Sequence, residues 1–310
     1  MKSAKIFEIK QLQKTQAYAC RMSSIFVTGF SRKDQRYSPR VIANFGLNMA
    51  ARAARRRELQ TAIAAARAAG VFIKQRRGKP GRVRFKSDIN IVTSVDTQAE
   101  ALIIRRLRAA FPADGILAEE RPEEKGNGRK WVIDPLDGTT NFAHGFPFFV
   151  VSIGLEEEGQ PVIGVVYDPV HDELFTAVRG KGALCNGKRI AVSAQRTMSR
   201  AFLATGFAYT FKKNPDHFFK QFRSMMLASM AVRRAGAAAL DLCYVACGRF
   251  DGFWELDLKP WDTAAASLIV AEAGGKVTRI DGRPYSHYDK SIVASNSHLH
   301  KAMVRILSRE

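Results

Sequence analysis

A mixed α+β domain with a substantial, partly antiparallel sheet is the fold class this sequence predicts. Strand-like apolar runs at 148–155, 161–166 and 173–178 follow one another with no helix between them. A purely parallel sheet would need a crossover helix at each step. Asn186-Gly187 closes that block with a dipeptide favoured in tight hairpins. Helical patterns flank the block on both sides. At 310 residues and 46% hydrophobic, the chain is long enough to bury a large core.

The first 48 residues lack clear periodicity and are rich in Lys, Arg, Ser and Gln. They read as a transit peptide or as an over-extended gene start, because Met49 stands directly before the first convincing helix. The predicted division is a poorly ordered basic extension over 1–48 and one folded domain over 49–310. Residues 50–69 are Ala-rich, with Leu59, Ile63 and Ala66 on one face and Gly70 placed as a C-terminal cap. A basic, Gly-containing linker over 76–86 is expected as a flexible flap. Ile91-Val92-Thr93 reads as a short strand and 97–111 as a helix. Asp96 stands at the turn between them, where helix capping and metal binding both remain open. Gly115-Ile116-Leu117-Ala118 delivers Glu119 and Glu120 from a strand end.

Next comes Trp131-Val132-Ile133-Asp134-Pro135-Leu136-Asp137-Gly138-Thr139-Thr140-Asn141-Phe142, around which the chain is organised. Its apolar start reads as a buried strand, which Pro135 is expected to break because it has no N–H to donate. Asp137-Gly138 is a turn dipeptide, and Thr139-Thr140-Asn141 offers capping side chains for a following helix. Carboxylates hold a hard cation, and N–H groups at a helix start hold phosphate. Ordinary turn punctuation is the competing reading. Further acids at the ends of other apolar runs favour metal-assisted phosphate chemistry.

In the second half, 201–207 reads as a strand and 211–222 as a Phe- and Lys-rich stretch whose rings fill core. A small-residue helix over 236–247 ends at Gly248, and 251–258 reads as a strand carrying Glu255. Trp261-Asp262-Thr263 opens an Ala-rich helix over 264–273, with Asp262 placed as its N-cap and Gly274-Gly275 ending it. Ala264-Ala265-Ala266 would let that helix start approach another element closely. Strands over 276–280 and 291–295 and a helix from His298 complete the chain.

The net charge is +20, and thirteen Lys and Arg against two acids up to Arg57 place +11 of it in the first 57 residues. Such a surface attracts polyanions and steers small phosphate esters, yet no nucleic-acid signature accompanies it. No apolar run near the middle reaches bilayer length, so no membrane-spanning helix is expected. The cysteines (Cys20, Cys185, Cys243 and Cys247) show no CxxC and no disulfide-like spacing, which fits a reducing compartment and a cytoplasmic location. The six histidines form no HxxxH or HExxH pair, which counts against zinc.

The central stretch resembles the inositol monophosphatase signature W-x-x-D-P-[LI]-D-G-T-x-N-F at every defined position. Trp261-Asp262-Thr263-Ala264-Ala265-Ala266 through Gly274-Gly275 resembles that family's second signature. Ala118-Glu119-Glu120, Lys86 with Val92-Thr93 and Asp96, and Gly236-Ala237-Ala238-Ala239-Leu240-Asp241 fall in the family's order. The resemblance covers the chain from about Ala50 onward and is greatest to bacterial members. It implies a five-layer αβαβα sandwich over 49–310 and Mg²⁺-dependent, lithium-sensitive hydrolysis of a phosphomonoester, with Mn²⁺ as an alternative ion. By position, Glu119, Asp134 and the Leu136 carbonyl resemble ligands of a first metal, and Asp134, Asp137 and Asp262 those of a second. Glu119 lies near a third in this family, with Asp96 helping through water. Gly138 and Thr139 would present N–H groups to phosphate. Glu255 resembles the residue that meets substrate hydroxyls, with Ala238 and Asp262 lining the same site. A homodimer is likewise implied.

The chemistry of the residues agrees. Clustered carboxylates repel one another unless cations are present, and an all-oxygen set suits Mg²⁺ or Mn²⁺. Glu119 and the Thr139 hydroxyl are the expected orienting groups for an attacking water, in a two-metal arrangement with ions roughly 3.5–4 Å apart. No Cys, Ser or His stands in the motif as a nucleophile, so no phosphoenzyme is required. The resemblance makes inositol 1-phosphate the expected substrate. Competing substrates are fructose 1,6-bisphosphate, phosphoadenosine phosphate or histidinol phosphate, and a transcription antitermination scaffold is the competing role. Asn90, where the family often has Asp, and Gly145, where it often has a basic residue, depart from the pattern.

Overall fold

The structure, a computed structural model, describes residues 39–309. Most of the expected extension over 1–48, with Cys20, lies outside the described residues. Contacts divide the chain into residues 1–56 and 57–310. In the first unit residues 39–56 are helical; this helix, α1 (Pro39–Lys74), ends in the second. It runs past Gly70, the expected cap. A Cβ there would lie 2.5 Å from ring atoms of Tyr167, so the glycine serves close approach, not termination. Its buried face is Ala62, Ala65, Ala66, Ala69 and Ile73, with Leu59 and Ile63 beside it.

Strand β1 (Val83–Phe85) pairs antiparallel with β2 (Ile91–Thr93), so part of the expected flexible linker is a hairpin. Helix α2 (Ser94–Ala110) starts earlier than its apolar spacing suggests. Thr93 is its N-cap and Asp96 the third helical residue; the Asp96 Oδ2 accepts the Thr93 N–H at 2.9 Å, completing a capping box. Asp96 is therefore not the N-cap.

Seven strands form the larger sheet, in chain order: β3 (Gly115–Ala118), β4 (Arg129–Asp137), β5 (Val150–Glu157), β6 (Gln160–Asp168), β7 (Glu173–Val178), β8 (Ala183–Cys185) and β9 (Lys188–Arg189). Only β3 and β4 pair in parallel. Asn186 and Gly187 both have positive φ, at 48° and 76°, as a two-residue I′ turn requires. Pro135 does not end β4. The strand passes through it to Asp137 with a register shift between Asp134 and Asp137, the kind of irregularity where a missing N–H is tolerated. The short helix α3 (Thr139–Ala143) follows. Thr139, Thr140 and Asn141 lie inside it and do not cap it; the N-cap is Gly138, at φ 93°.

A second sheet has the order β11-β10-β12-β14-β13. Its members are β10 (Phe202–Thr205), β11 (Ala231–Arg233), β12 (Gly252–Leu256), β13 (Lys276–Thr278) and β14 (Ser291–Ser295). Four further α-helices follow among the described residues: α4 (Pro215–Ala228), α5 (Ala238–Ala246), α6 (Pro260–Glu272) and α7 (His300–Leu307). Apolar burial sorts these elements into layers. Residues of α1 and α2 share a core with one face of the larger sheet. The pair α5 and α6 fills the space between the two sheets, and α4 and α7 cover the outer face of the smaller one. The result is the five-layer αβαβα sandwich. The approach expected of Ala264-Ala265-Ala266 is present: a Cβ on Gly164 of β6 would lie 2.4 Å from the Ala265 carbonyl oxygen. Small residues on both sides thus seat α6, and with it Asp262, against the larger sheet.

Candidate active site

The ends of β3 and β4, the first turns of α5 and α6, and the end of β12 meet at one cleft of about 590 Å³. Glu119, Asp137, Gly138, Ala238, Glu255 and Asp262 line it. The remaining expected residues stand behind these. Asp134 is 2% exposed and Asp96 fully buried, and Leu136 precedes Asp137 on β4. The Thr139 hydroxyl lies 2.8 Å from Asp96 Oδ1 and 3.0 Å from the Leu136 carbonyl oxygen. Residues from across the sequence, 96 to 262, are thereby brought to one place.

Asp96 is held at both oxygens, Oδ2 by Thr93 and Oδ1 by the Thr139 hydroxyl, whereas the other carboxylates below are each fixed through one. Asp134 Oδ1 accepts the Leu136 N–H at 2.9 Å. Asp137 Oδ2 accepts the Ala239 N–H at 2.7 Å, at the start of α5. Asp262 Oδ2 accepts the Lys259 N–H at 2.7 Å. Asp262 is the third residue of α6, not its N-cap as expected; Pro260 supplies a preset φ in the first turn. Glu119 Oε1 takes the Lys86 ammonium at 2.8 Å, and Glu120 pairs with the same ammonium.

Burial dominates the titration of these groups, and their mutual charges add to it. Burial pushes the Asp137 carboxyl up to about 7, with Glu119 adding to the rise and N–H donors from α5 opposing it. Asp134 is held well above the carboxylate range by burial, then by Glu119, Asp137 and Asp262. Asp262 is raised by burial and by Asp137, and Glu255 by burial and Asp262, with Arg234 opposing. Glu119 is raised by burial against the pull of Lys86. Deprotonating them together needs more positive charge than Lys86 and Arg234 bring.

A hard divalent cation fits this donor set. The side chains are all oxygen donors, and Asp137 and Asp262 each keep an oxygen beyond the one that positions it. As they stand, no three His, Cys, Asp or Glu side chains among the described residues enclose a common point as an ion's ligand set.

Cleft residues not singled out for the site from sequence include Lys86, Arg234 and Asp241. Asp241 is 1% exposed, its Oδ1 has no hydrogen-bond partner, and burial followed by the charge of Glu255 holds its carboxyl well above the usual range. An acid amid Ala-Ala-Leu and Leu-Cys on a buried helix was the available signal. Arg234 carried none, as one basic residue among many.

Residues 55–310 match the Inositol monophosphatase family. The chain is 43% identical over 230 residues to an inositol-1-monophosphatase of Rhizobium meliloti, covering 74% of this chain and 86% of that protein. It is 44% identical over 254 residues to Nus factor SuhB of Pseudomonas aeruginosa, covering 79% and 94%. Among solved structures, an inositol monophosphatase from Anabaena superposes with a TM-score of 0.75 at 42% identity, covering 81% of this chain and 95% of that one. The extragenic suppressor protein suhB from Bartonella henselae gives 0.78 at 42% identity, covering 81% and 98%. Fold, cleft and likeness agree, and this chain belongs to the inositol monophosphatase family, a metal-dependent family of phosphomonoester hydrolases.

Proposed function

We propose that the chain hydrolyses inositol 1-phosphate to inositol and phosphate with Mg²⁺, in the cleft of Glu119, Asp134, Asp137 and Asp262. The observation that carries this is the meeting of those four carboxylates, raised by burial and by one another, at a cleft also lined by Gly138 and Glu255. Glu119, Asp134 and the Leu136 carbonyl would hold one ion; Asp134, Asp137 and Asp262 would hold a second. Glu119, with Asp96 through water, would hold a weaker third, and Mn²⁺ would serve in place of Mg²⁺. When bound, such ions acidify water and offset charge on the phosphate and the leaving oxygen.

The chain's own groups do the rest. Gly138 and Thr139 offer backbone N–H groups to the phosphate, in the left-handed turn that starts α3. Glu119 and the Thr139 hydroxyl orient the attacking water, and Glu119 takes its proton. Asp96 holds the Thr139 hydroxyl in place at 2.8 Å. Glu255 and Ala238 meet the polyol, with Asp262 beside them. Gly206 lets Glu255 reach that position, since a Cβ there would lie 2.2 Å from Glu255 Oε2. Lithium inhibition, a homodimer and a cytoplasmic location belong to the same reading. No helix among the described residues is long and apolar enough to cross a membrane.

The test is phosphate release from a panel of inositol, sugar and nucleotide phosphates with Mg²⁺, with EDTA, and with added Li⁺. Mg²⁺-dependent, lithium-inhibited turnover led by inositol 1-phosphate is expected. A lead by another ester would change the substrate, and silence on every ester would remove the enzymatic reading. The likeness to Nus factor SuhB over 94% of that protein supports a second reading, a role in transcription complexes. An Asp137→Asn protein that loses hydrolysis yet keeps such a role would separate the two.

A further inference from the structure

Buried aspartates away from the metal-type acids are satisfied inside the chain, with one exception. Asp168 Oδ1 accepts the Val170 and His171 N–H groups at 2.8 and 3.1 Å, and its Oδ2 lies 2.7 Å from His171 Nδ1. Asp251 takes the Ser193 hydroxyl on one oxygen and the Phe202 N–H on the other. Asp241, in the first turn of α5, is as deeply buried at 1% exposed, yet its Oδ1 has no hydrogen-bond partner among the described residues. A buried acceptor left bare costs folding free energy unless something from outside supplies the donor. An acid in the first turn also suits the helix dipole, but that role does not require the carboxyl to line a cleft, as Asp241 does.

Its neighbours say what the donor would be. Ala238, assigned to the polyol, stands three residues earlier on α5 and so shares a helix face with Asp241. Glu255 of β12, assigned to polyol hydroxyls, lines the same cleft, and after burial its charge acts most strongly on Asp241. Arg234 lines the cleft too, and its positive charge reaches both carboxyls without forming an ion pair with either. That charge disfavours an ammonium beside them and leaves a neutral O–H as the fitting donor.

We propose that Asp241 is a specificity residue whose Oδ1 accepts a second hydroxyl of the leaving polyol, beside the one that Glu255 meets. The inference rests on the polyol-phosphatase reading and deepens it: the cleft reads two hydroxyls of the leaving alcohol. A carboxyl accepts a hydroxyl hydrogen whether it is ionised or protonated, so the contact does not depend on its titration.

The test is a mutant cycle on the full chain with Mg²⁺, using inositol 1-phosphate and its monodeoxy analogues. Leucine is close to aspartate in size and fits a helix of Ala, Leu and Cys, so Asp241→Leu removes the acceptor with little change of shape. Asp241→Ala repeats the cycle with a smaller side chain. On inositol 1-phosphate, Asp241→Leu should lower kcat/KM about tenfold, mostly through KM. Asp241→Asn keeps an acceptor oxygen and should recover most of that loss. One deoxy analogue should cost the wild type about the same tenfold, and on it Asp241→Leu should add less than about twofold. Glu255→Met should couple in the same way to a different analogue. An equal loss on every analogue would make Asp241 structural, and no loss at all would leave its Oδ1 to a water. Coupling of both variants to one hydroxyl would give Glu255 that contact alone. Each of these three results overturns the proposal. A wild-type protein that releases no phosphate from inositol 1-phosphate removes the polyol reading itself, and this inference falls with it.

Discussion

Two sets of buried carboxylates lie on the larger sheet, and the protein treats them in opposite ways. At one end of β5, Glu156 is 5% exposed and fully engaged. It takes the His287 Nε2 at 2.6 Å, the Tyr288 hydroxyl at 2.9 Å and the Lys130 ammonium at 3.3 Å. Burial would raise Glu156, but His287 and Tyr288, with the charge of Lys130, bring it below the usual range. At the end of β4, Asp134 and Asp137 are equally buried, and their neighbours are other acids. The first set is closed within the chain and stabilises it. The second is left open: no basic side chain among the described residues pairs with Asp134 or Asp137, and burial and the neighbouring acids raise both.

The largest test of that contrast is a pair of isosteric changes. Asp137→Asn should lower kcat/KM about a thousandfold, while metal-free thermal stability holds or rises because a buried like charge is gone. A protein with full activity after that change would show the cleft acids to be structural. Glu156→Gln should do the reverse. It should cost about 3 kcal/mol in urea unfolding, as expected when one partner of a buried pair is removed, with turnover per folded molecule unchanged.

Removing metal sharpens the comparison through pH. Asp137 has a folded pKa of about 7 against an ordinary 3.8, so the folded chain holds its proton more tightly. Its contribution is fully present below the ordinary value and is lost as pH rises through 7. Glu156, with a lowered folded pKa, contributes above the ordinary value and loses that contribution as pH falls. In EDTA, the melting temperature should therefore decline as pH rises from 5 to 8, and Mg²⁺ should cancel the decline. At a hundredfold excess over its Kd the ion would add about 2.7 kcal/mol. A pH-independent melt in EDTA, unaffected by Mg²⁺, would contradict the open character of the cleft acids.

The smallest expected effect is steric. Gly206→Ala would drive a Cβ into Glu255 and should raise KM for a polyol ester about fivefold, by misplacing one contact. Turnover of a small ester with no hydroxyls to meet should be spared. Equal effects on both would place Glu255 outside the polyol contact.

Much of this protein is local chemistry and was legible in the sequence. The strands at Gly115–Ala118, Glu173–Val178 and Ser291–Ser295 follow from period and β-branching, and the Asn186-Gly187 turn from the φ values only such residues adopt readily. The acids at the element ends stood out too, although capping and turn punctuation remained open for them until the structure placed them at one cleft. Element boundaries were less so. Pro135 stays in its strand at a register shift, where a missing N–H is tolerated, and Gly70 sits inside its helix because only a residue without a Cβ leaves room for the Tyr167 ring there. Asp96 and Asp262 each lie in the first turn of a helix as its third residue, where the carboxylate accepts the N–H of the N-cap, Thr93 or Lys259.

What only the tertiary structure decided is which charges meet. Nothing in the neighbourhood of Asp241 announces Glu255 across the cleft, or in that of Glu156 announces His287 and Tyr288 across 131 and 132 residues. Nor does the run Phe211-Lys212-Lys213 say that Lys213 will face a pocket shared with Asp257 and Lys290. Propensity and periodicity act over a few residues, whereas burial and Coulomb interactions act over a few ångströms of space. The sequence by itself determined the strands, the turn and the motif acids. Folding decided which acids were paired with bases and which were set against other acids.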